Sequence, residues 1–152
     1  QKVSGDYVIT QDADMEYNPE DYRGLIECAV KNDAPVVYGS RLLHKGNKPS
    51  SLLYFWGGRF ITLITNLLYK TKLTDEPTGY KLFKRDLIAS IPLHAKKFEF
   101  CPEITAKIAK KNIPIIEVPI RYCARTGKEG KKLSWKDGFM TMYTLLKYKI
   151  VD

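Results

Sequence analysis

Thr10-Gln11-Asp12-Ala13-Asp14-Met15-Glu16 is the stretch on which the reading of this chain turns. It follows the apolar run Tyr7-Val8-Ile9, which reads as a short buried strand. It precedes Asn18-Pro19-Glu20-Asp21, which reads as a helix start. Carboxylates gathered at the mouth of a strand repel one another, and apolar surroundings add to the cost of keeping them ionised. A divalent cation among them offsets that cost. Asp12 and Asp14 lie two apart, so in an extended chain their side chains point the same way. Mg²⁺ and Mn²⁺ take oxygen ligands, usually one or two carboxylates completed by water and substrate phosphate. The stretch is therefore expected to form a metal–diphosphate site. An acidic solvated turn is the competing reading, and for an isolated Asp-x-Asp it is the commoner one.

Working outward, the pattern is strand, helix, strand. Asn18 suits an N-cap, Pro19 the first helical position, and Glu20 and Asp21 the positive end of the helix dipole. Tyr22, Leu25, Ile26, Ala29 and Val30 form an apolar stripe at helical spacing, closed by Asn32-Asp33. Ala34-Pro35-Val36-Val37-Tyr38 reads as the next strand, ending at Gly39-Ser40-Arg41. Strands linked by a helix are normally parallel with a right-handed crossover, and ligands bind beyond their carboxyl ends. Asp12, Asp14 and Arg41 are thus expected on one sheet edge.

Downstream, residues 44–51 form a polar, basic loop and residues 52–70 a long apolar helix interrupted by Gly57-Gly58-Arg59 and Asn66. These interruptions argue for a helix packed on the core or lying at a membrane surface rather than a span. Residues 85–91 read as one or two helical turns, 96–100 as a short strand or loop, and Pro102-Glu103 as a helix start with Ile104 and Ile108 inward. Residues 113–122 read as a strand, 124–133 as a basic loop. Ser134 and Asp137 begin a last helix whose apolar face is Phe139, Met142, Tyr143, Leu146 and Ile150.

The 152 residues suffice for one domain with a real core, and 44% apolar content with ten Tyr, six Phe and two Trp excludes disorder. A net charge of +8 calls for an anionic partner: nucleic acid, acidic membrane or phosphorylated substrate. Cys28, Cys101 and Cys123 are widely spaced without a Cys-x-x-Cys pair, which favours reduced thiols and a cytoplasmic setting over zinc or disulfides. His44 and His94 are isolated. Residues 1–6 lack the apolar core of a leader, and the chain reads as a piece of a longer protein.

Taken together the segments resemble family 2 glycosyltransferases, most nearly the dolichol-phosphate mannosyltransferase-like branch. The matching residues are Gln11–Glu16, Gly39-Ser40-Arg41, Asp75-Glu76-Pro77-Thr78-Gly79-Tyr80-Lys81-Leu82-Phe83 and Phe98-Glu99-Phe100-Cys101-Pro102-Glu103. Glu117-Val118-Pro119-Ile120 and the loop from Arg125 to Lys132 complete the set, in family order. The resemblance implies an α/β, GT-A type, Rossmann-like fold with a mostly parallel sheet and flanking helices. The whole chain would be one domain, the C-terminal portion of a catalytic domain whose nucleotide-binding strands precede it. Asp12 and Asp14 inherit the catalytic, metal and diphosphate role with Mg²⁺ or Mn²⁺, and Glu16 falls where relatives often carry Gln beside the metal. Arg41 and Arg125, with Lys131 or Lys132, match residues that hold the acceptor phosphate.

The implied activity is transfer of a sugar from a GDP- or UDP-sugar to a lipid-linked phosphate, polyprenyl or dolichyl, with peripheral contact at the cytoplasmic membrane face. A phosphate acceptor is already anionic and needs positioning more than a base, which arginines supply bidentately. A hydroxyl acceptor on a cell-surface glycan or lipid would need a carboxylate base, for which Asp75, Glu103 and Glu99 are the candidates. Two readings of another class remain: a fragment inactive by itself, and a basic nucleic-acid-binding module. The second is disfavoured because the aromatics fall on core-like stripes and no recognition motif is present.

Overall fold

The computed structural model describes residues 3–13, 15–48, 51–95, 99–124 and 135–151. In chain order they form β1 (Tyr7–Ile9), α1 (Tyr22–Lys31), β2 (Val36–Ser40), α2 (Leu52–Tyr69), β3 (Lys81–Lys84), α3 (Arg85–Ser90), α4 (Phe100–Lys110), β4 (Ile116–Pro119) and α5 (Trp135–Ile150). The N-cap expected at Asn18 is present: its side chain accepts the Glu20 N–H at 3.0 Å, and a 3-10 turn over Pro19–Asp21 leads into α1. The helix stops at Asn32-Asp33, where Asp33 takes a φ of 48°. Its buried stripe is narrower than expected, because Leu25 and Ala29 are buried while Ile26 and Val30 are exposed.

Strand pairing departs from the expected mostly parallel sheet. The sheet is mixed, in the order β1-β3-β2-β4, with β2 and β4 parallel and β3 antiparallel to both β1 and β2. The reason lies in the loop after α2. Thr74 and Asp75 are bound to Ser40 and Arg41 at the end of β2, so β3 begins where β2 stops and must run back. Since β1 and β2 both oppose β3, they run the same way, and the shared edge inferred from the sequence exists.

Alternation along the strands builds two cores. Val37 pairs with Leu82 and, with Ile120, meets Leu25 and Ala29 of α1 on one face. Val36 pairs with Phe83 and, with Tyr38, meets Ile104 and Ile108 of α4 on the other. A third cluster lies behind α4, where Ala106 and Ala109 meet Ile61 and Tyr69 of α2 and Leu145 and Tyr148 of α5. Covered on both sides, α4 buries residues 102–109 without a break.

The apolar face read along α5 turns mostly outward. Phe139, Tyr143, Leu146 and Ile150 are exposed, and Leu145 and Tyr148 point inward with Met142 partly buried. Polar anchors fix that choice: the Tyr69 hydroxyl donates to the Leu145 carbonyl at 2.6 Å and the Tyr148 hydroxyl to Glu103 at 2.9 Å. The strand expected over 113–122 contracts to β4, with isolated bridges at Tyr122 and Cys123. The helix expected from Pro102 opens at Phe100. Ser134, residues 96–98 and the basic loop from 125 onward lie outside the described residues. Among those described, no helix is long and apolar enough to cross a membrane.

Candidate functional site

The carboxyl ends of β1, β2 and β4 and the amino end of β3 converge on one edge of the sheet. Residues 74–80, which enter β3, are bonded to the ends of β1 and β2, to β4 and to α2. The Ser40 and Thr74 hydroxyls stand 2.7 Å apart, and the Thr78 hydroxyl donates to the Gly39 carbonyl at 2.5 Å. Glu117 of β4 accepts the N–H groups of Thr74 and Asp75 at 2.7 and 3.0 Å. From α2, the Thr62 hydroxyl accepts the Glu76 N–H at 3.1 Å. Lys81 is wholly buried, and its ammonium donates to the carbonyls of Glu76 and Thr78 at 2.6 and 2.8 Å. The Tyr38 ring lies 4.3 Å from the same nitrogen. These partners replace the water that burial removes. Burial pushes the neighbouring Glu76 carboxyl up, against the pull of Lys81.

One end of this segment holds Arg41. Asp75 accepts from the Arg41 backbone N–H at 2.9 Å, from Nε at 2.7 Å and from a terminal guanidinium nitrogen at 2.7 Å. Burial alone would raise the Asp75 carboxyl, but the Arg41 guanidinium beside it prevails and holds it below the usual carboxylate range. Tyr122 lies under Arg41, with 5.1 Å from its ring centre to the guanidinium carbon. Asn47 fixes both residues: its amide donates to the carbonyls of Arg41 and Ile120 at 2.7 and 2.8 Å and accepts the Tyr122 N–H at 2.8 Å.

The other end holds the acidic stretch. Thr10 donates its hydroxyl to the Gly79 carbonyl at 2.6 Å, and Tyr17 accepts the Gly79 N–H at 2.8 Å. Asp12 then packs on Gly79 so closely that a Cβ there would meet its carboxyl carbon at 2.8 Å. Gln11 accepts the hydroxyls of Tyr22 and Tyr80, and Tyr80 stacks on Tyr17 with 4.6 Å between ring centres. Glu16 is buried and faces the Tyr122 hydroxyl, whose pKa is pushed up to about 12 by burial, with Arg41 opposing and Glu16 adding.

Beyond Arg41 opens a cavity of about 320 Å³, lined by Arg41, His44, Lys45, Lys48 and Arg59 with Tyr54, Phe55, Tyr122 and Asp75. A second space of about 460 Å³ shares His44, Asn47 and Tyr122 with the first and reaches Glu16 and Arg121.

Of the residues singled out in the sequence, Asp12, Glu16, Arg41 and Asp75 are brought together on this edge. Glu103 is not among them. It sits in α4, buried, accepting the His94 and Ala95 N–H groups at 2.9 and 2.6 Å, the Lys107 ammonium at 2.6 Å and the Tyr148 hydroxyl at 2.9 Å. Burial would raise its carboxyl, but Lys107 and the other donors hold it low. Glu99 is half-buried at the start of α4. Asp14, Arg125, Lys131 and Lys132 lie outside the described residues. Among those described, no three His, Cys, Asp or Glu side chains converge as a metal-binding group.

Sequence reasoning assigned no site role to Lys81, Glu117, Asn47 or Arg59. Lys81 and Glu117 stand inside motif-like segments but carry no spacing signal, and Asn47 is one polar loop residue among several. Arg59 did carry a signal, as the sole charge within the apolar 52–69 segment.

The profile described as glycosyl transferase family 2 matches residues 1–91. The chain is similar to the UDP-N-acetylglucosamine–dolichyl-phosphate N-acetylglucosaminyltransferase of Methanococcus voltae, at 31% identity over 98% of this chain and 61% of that protein. It is also 30% identical to the low-salt glycan biosynthesis hexosyltransferase Agl6 of Haloferax volcanii, over 91% of this chain and 34% of that one. The undecaprenyl-phosphate mannosyltransferase of Micrococcus luteus is 32% identical over 83% of this chain and 53% of its own length. The chain thus spans between 34% and 61% of the length of these relatives.

Proposed function

The chain belongs to glycosyl transferase family 2, and from that premise we propose that it serves the transfer of a sugar from a nucleotide-diphosphosugar to a polyprenyl or dolichyl phosphate. The observation that carries this reading is the cationic cavity at Arg41, opening on the same sheet edge that presents Asp12. Names of relatives support it, since two of them act on dolichyl or undecaprenyl phosphate.

The acidic side suits the donor. Asp12, together with Asp14, would hold Mg²⁺ or Mn²⁺, which accept one or two carboxylates and leave their remaining positions to water and phosphate. Such an ion would supply charge neutralisation for the donor diphosphate and the departing nucleotide. Glu16, turned toward Tyr122, is better placed to support that tyrosine than to ligate.

The basic side suits the acceptor. Arg41 is oriented by Asp75, and Arg59, Lys45 and Lys48 line the same cavity. Arg125, Lys131 and Lys132 are assigned to this phosphate as well. An acceptor phosphate oxygen attacks the anomeric carbon. The bond from that carbon to the donor diphosphate breaks, and its electron pair leaves with the nucleoside diphosphate. No proton has to be removed from an ionised acceptor. This agrees with the state of Asp75, whose two oxygens are bound by Arg41 and whose depressed basicity makes it a poor general base. The same argument weighs against a hydroxyl acceptor. Because the acceptor is a lipid, peripheral contact with the cytoplasmic membrane face belongs to this reading.

The test is incubation of the protein with labelled GDP- and UDP-sugars, polyprenyl phosphate and Mg²⁺ or Mn²⁺. Label is expected in the lipid phase, and Arg59→Ala is expected to raise the KM for the acceptor while donor hydrolysis is retained. Label passing only to hydroxyl acceptors would overturn the proposal.

A further inference from the structure

The Glu76 carboxyl stands apart from the bonds that hold residues 74–80. It is wholly buried, and its two oxygens are the only buried side-chain polar atoms without a hydrogen-bond partner among the described residues. Neighbours are not lacking. Lys81 of β3 attracts it, and the Arg41–Asp75 pair lies beside it with a charge of each sign. Tyr38 of β2 and Cys101 and Thr105 of α4 also face it. Each of these is committed elsewhere. The Tyr38 and Thr105 hydroxyls are paired at 3.0 Å, and the Cys101 thiol reaches the Thr78 carbonyl at 3.7 Å. From α2, the Thr62 hydroxyl takes the Glu76 N–H and not its carboxyl. Burial pushes the Cys101 thiol and the Tyr38 phenol up, so neither adds a charge.

An ionised carboxyl without partners is costly in such an interior, and beside a buried ammonium it is expected to capture it. Lys81 instead gives its ammonium to two backbone carbonyls and to the face of the Tyr38 ring. That choice fits a carboxyl that has kept its proton, and burial favours the same form. We infer that Glu76 is a positioning residue of this edge: as a neutral acid it leaves Lys81 to the Glu76 and Thr78 carbonyls, which hold Gly79 against Asp12.

Loss of that proton sets the carboxylate in competition with both carbonyls for one ammonium. The Thr78 carbonyl is the sensitive partner, because Gly79 follows it directly and has no room to move toward Asp12. The Gly79 N–H is tied in turn to the Tyr17 hydroxyl, so a displaced Thr78 carbonyl alters the acidic side of the site. Glu76 thus acts from three residues away, through Lys81 and the backbone. Its protonation needs neither donor nor acceptor, and only the effect on transfer rests on the function proposed above.

The experiment is an NMR pH titration of the full chain, with glutamate labelled at the carboxyl carbon and each carboxyl assigned through its own backbone. Glu76 is expected to stay in the acid form at neutral pH, while exposed glutamates ionise near their ordinary value of about 4.3. As pH rises further, the Gly79 amide signal should move with the Glu76 carboxyl. In Glu76→Gln, which keeps the neutral shape, that signal should stay still. Stability carries the same signature. The folded chain keeps a proton that the unfolded chain releases above about 4.3, so this group lowers the urea midpoint as pH rises toward its folded value. The midpoint of Glu76→Gln relative to the parent should therefore climb from acid to alkali. Transfer by Glu76→Gln should stay within about twofold of the parent at neutral pH, whereas Glu76→Ala should lose about tenfold or more. A Glu76 carboxyl ionised at neutral pH would overturn the inference, and if neither variant folds the parent spectrum decides alone. So would a Gly79 amide that ignores the Glu76 titration. Absence of transfer in the parent, with the titration as expected, would refute only the transferase reading.

Discussion

Arg41 and Asp75 gain little by being a buried pair and lose much if parted. Both carboxylate oxygens are engaged and Asp75 is only 4% exposed, so its charge cannot fall back on water, while Arg41, 23% exposed, has a partial outlet into the cavity. Asp75→Asn is expected to destabilise the protein by about 3–5 kcal/mol, measured from urea midpoints, because it leaves the guanidinium unpaired. The pH dependence has a definite sign. With the folded carboxyl below its ordinary value of about 3.9, the unfolded chain binds more protons between the two values. The increment is therefore complete above the ordinary carboxylate range and is lost as pH falls through the lower, folded value. Glu103, also held low, adds a contribution of the same sign, so Asp75→Asn should flatten the acid limb of the stability curve without abolishing it. At Gly79 the constraint is spatial. Gly79→Ala would drive a methyl into the Asp12 carboxyl, and a displacement of about 1 Å at a reacting centre can cost 100-fold in rate. Transfer activity should drop to that extent while the melting temperature moves less than in Asp75→Asn.

At the scale of elements, Glu103 joins the 94–95 segment, α4 and α5 through four donors. Glu103→Gln strands the Lys107 ammonium, and the loss should again be about 3–5 kcal/mol. Transfer per folded molecule should be unchanged. A fall in kcat with normal stability would restore Glu103 as a catalytic candidate. Such junctions also explain what the sequence could convey. Local rules sufficed for the cap at Asn18, the stop at Asn32-Asp33 and the inward Ile104 and Ile108, because each depends on neighbours within a turn or two. The stripe of α5 was legible as a stripe, but its direction was not. Hydroxyls of Tyr69 and Tyr148, bonded to residues far away in sequence, turn the helix so that Leu145 goes in and Phe139 stays out. β3 is a similar case. Its reversal follows from the attachment of Thr74 and Asp75 to the end of β2, a contact spanning 34 residues.

Across the whole molecule, α4 is the shared wall between the sheet core and the outer helices. Leu145 is fully buried in the outer cluster and Leu25 in the α1 cluster. Replacing either with Ala should cost about 2–5 kcal/mol. If α4 couples the layers, both substitutions shift a single transition. Tryptophan emission reports the outer helices that carry Trp56 and Trp135, and near-ultraviolet dichroism reports the Tyr17–Tyr80 stack on the far side. Coincident midpoints are the expected outcome, and an early loss of the tryptophan signal would mean that α2 and α5 melt apart from the rest. The candidate site was partly legible at this scale: parallel β1 and β2 suffice to place Asp12 and Arg41 on one edge. The pinning of residues 74–80 from four directions has no sequence signature, since its donors and acceptors are mostly backbone.

That pinned segment has a thermodynamic consequence. Asp75 grips Arg41, and four residues later Gly79 abuts Asp12, with Lys81 tying the intervening carbonyls together. The segment thus gives the two ends a short bonded connection. Linkage then requires reciprocity: the factor by which an occupant beside Arg41 alters affinity at Asp12 equals the factor in the opposite direction. For two occupants of this edge, the order of filling cannot change the total free energy.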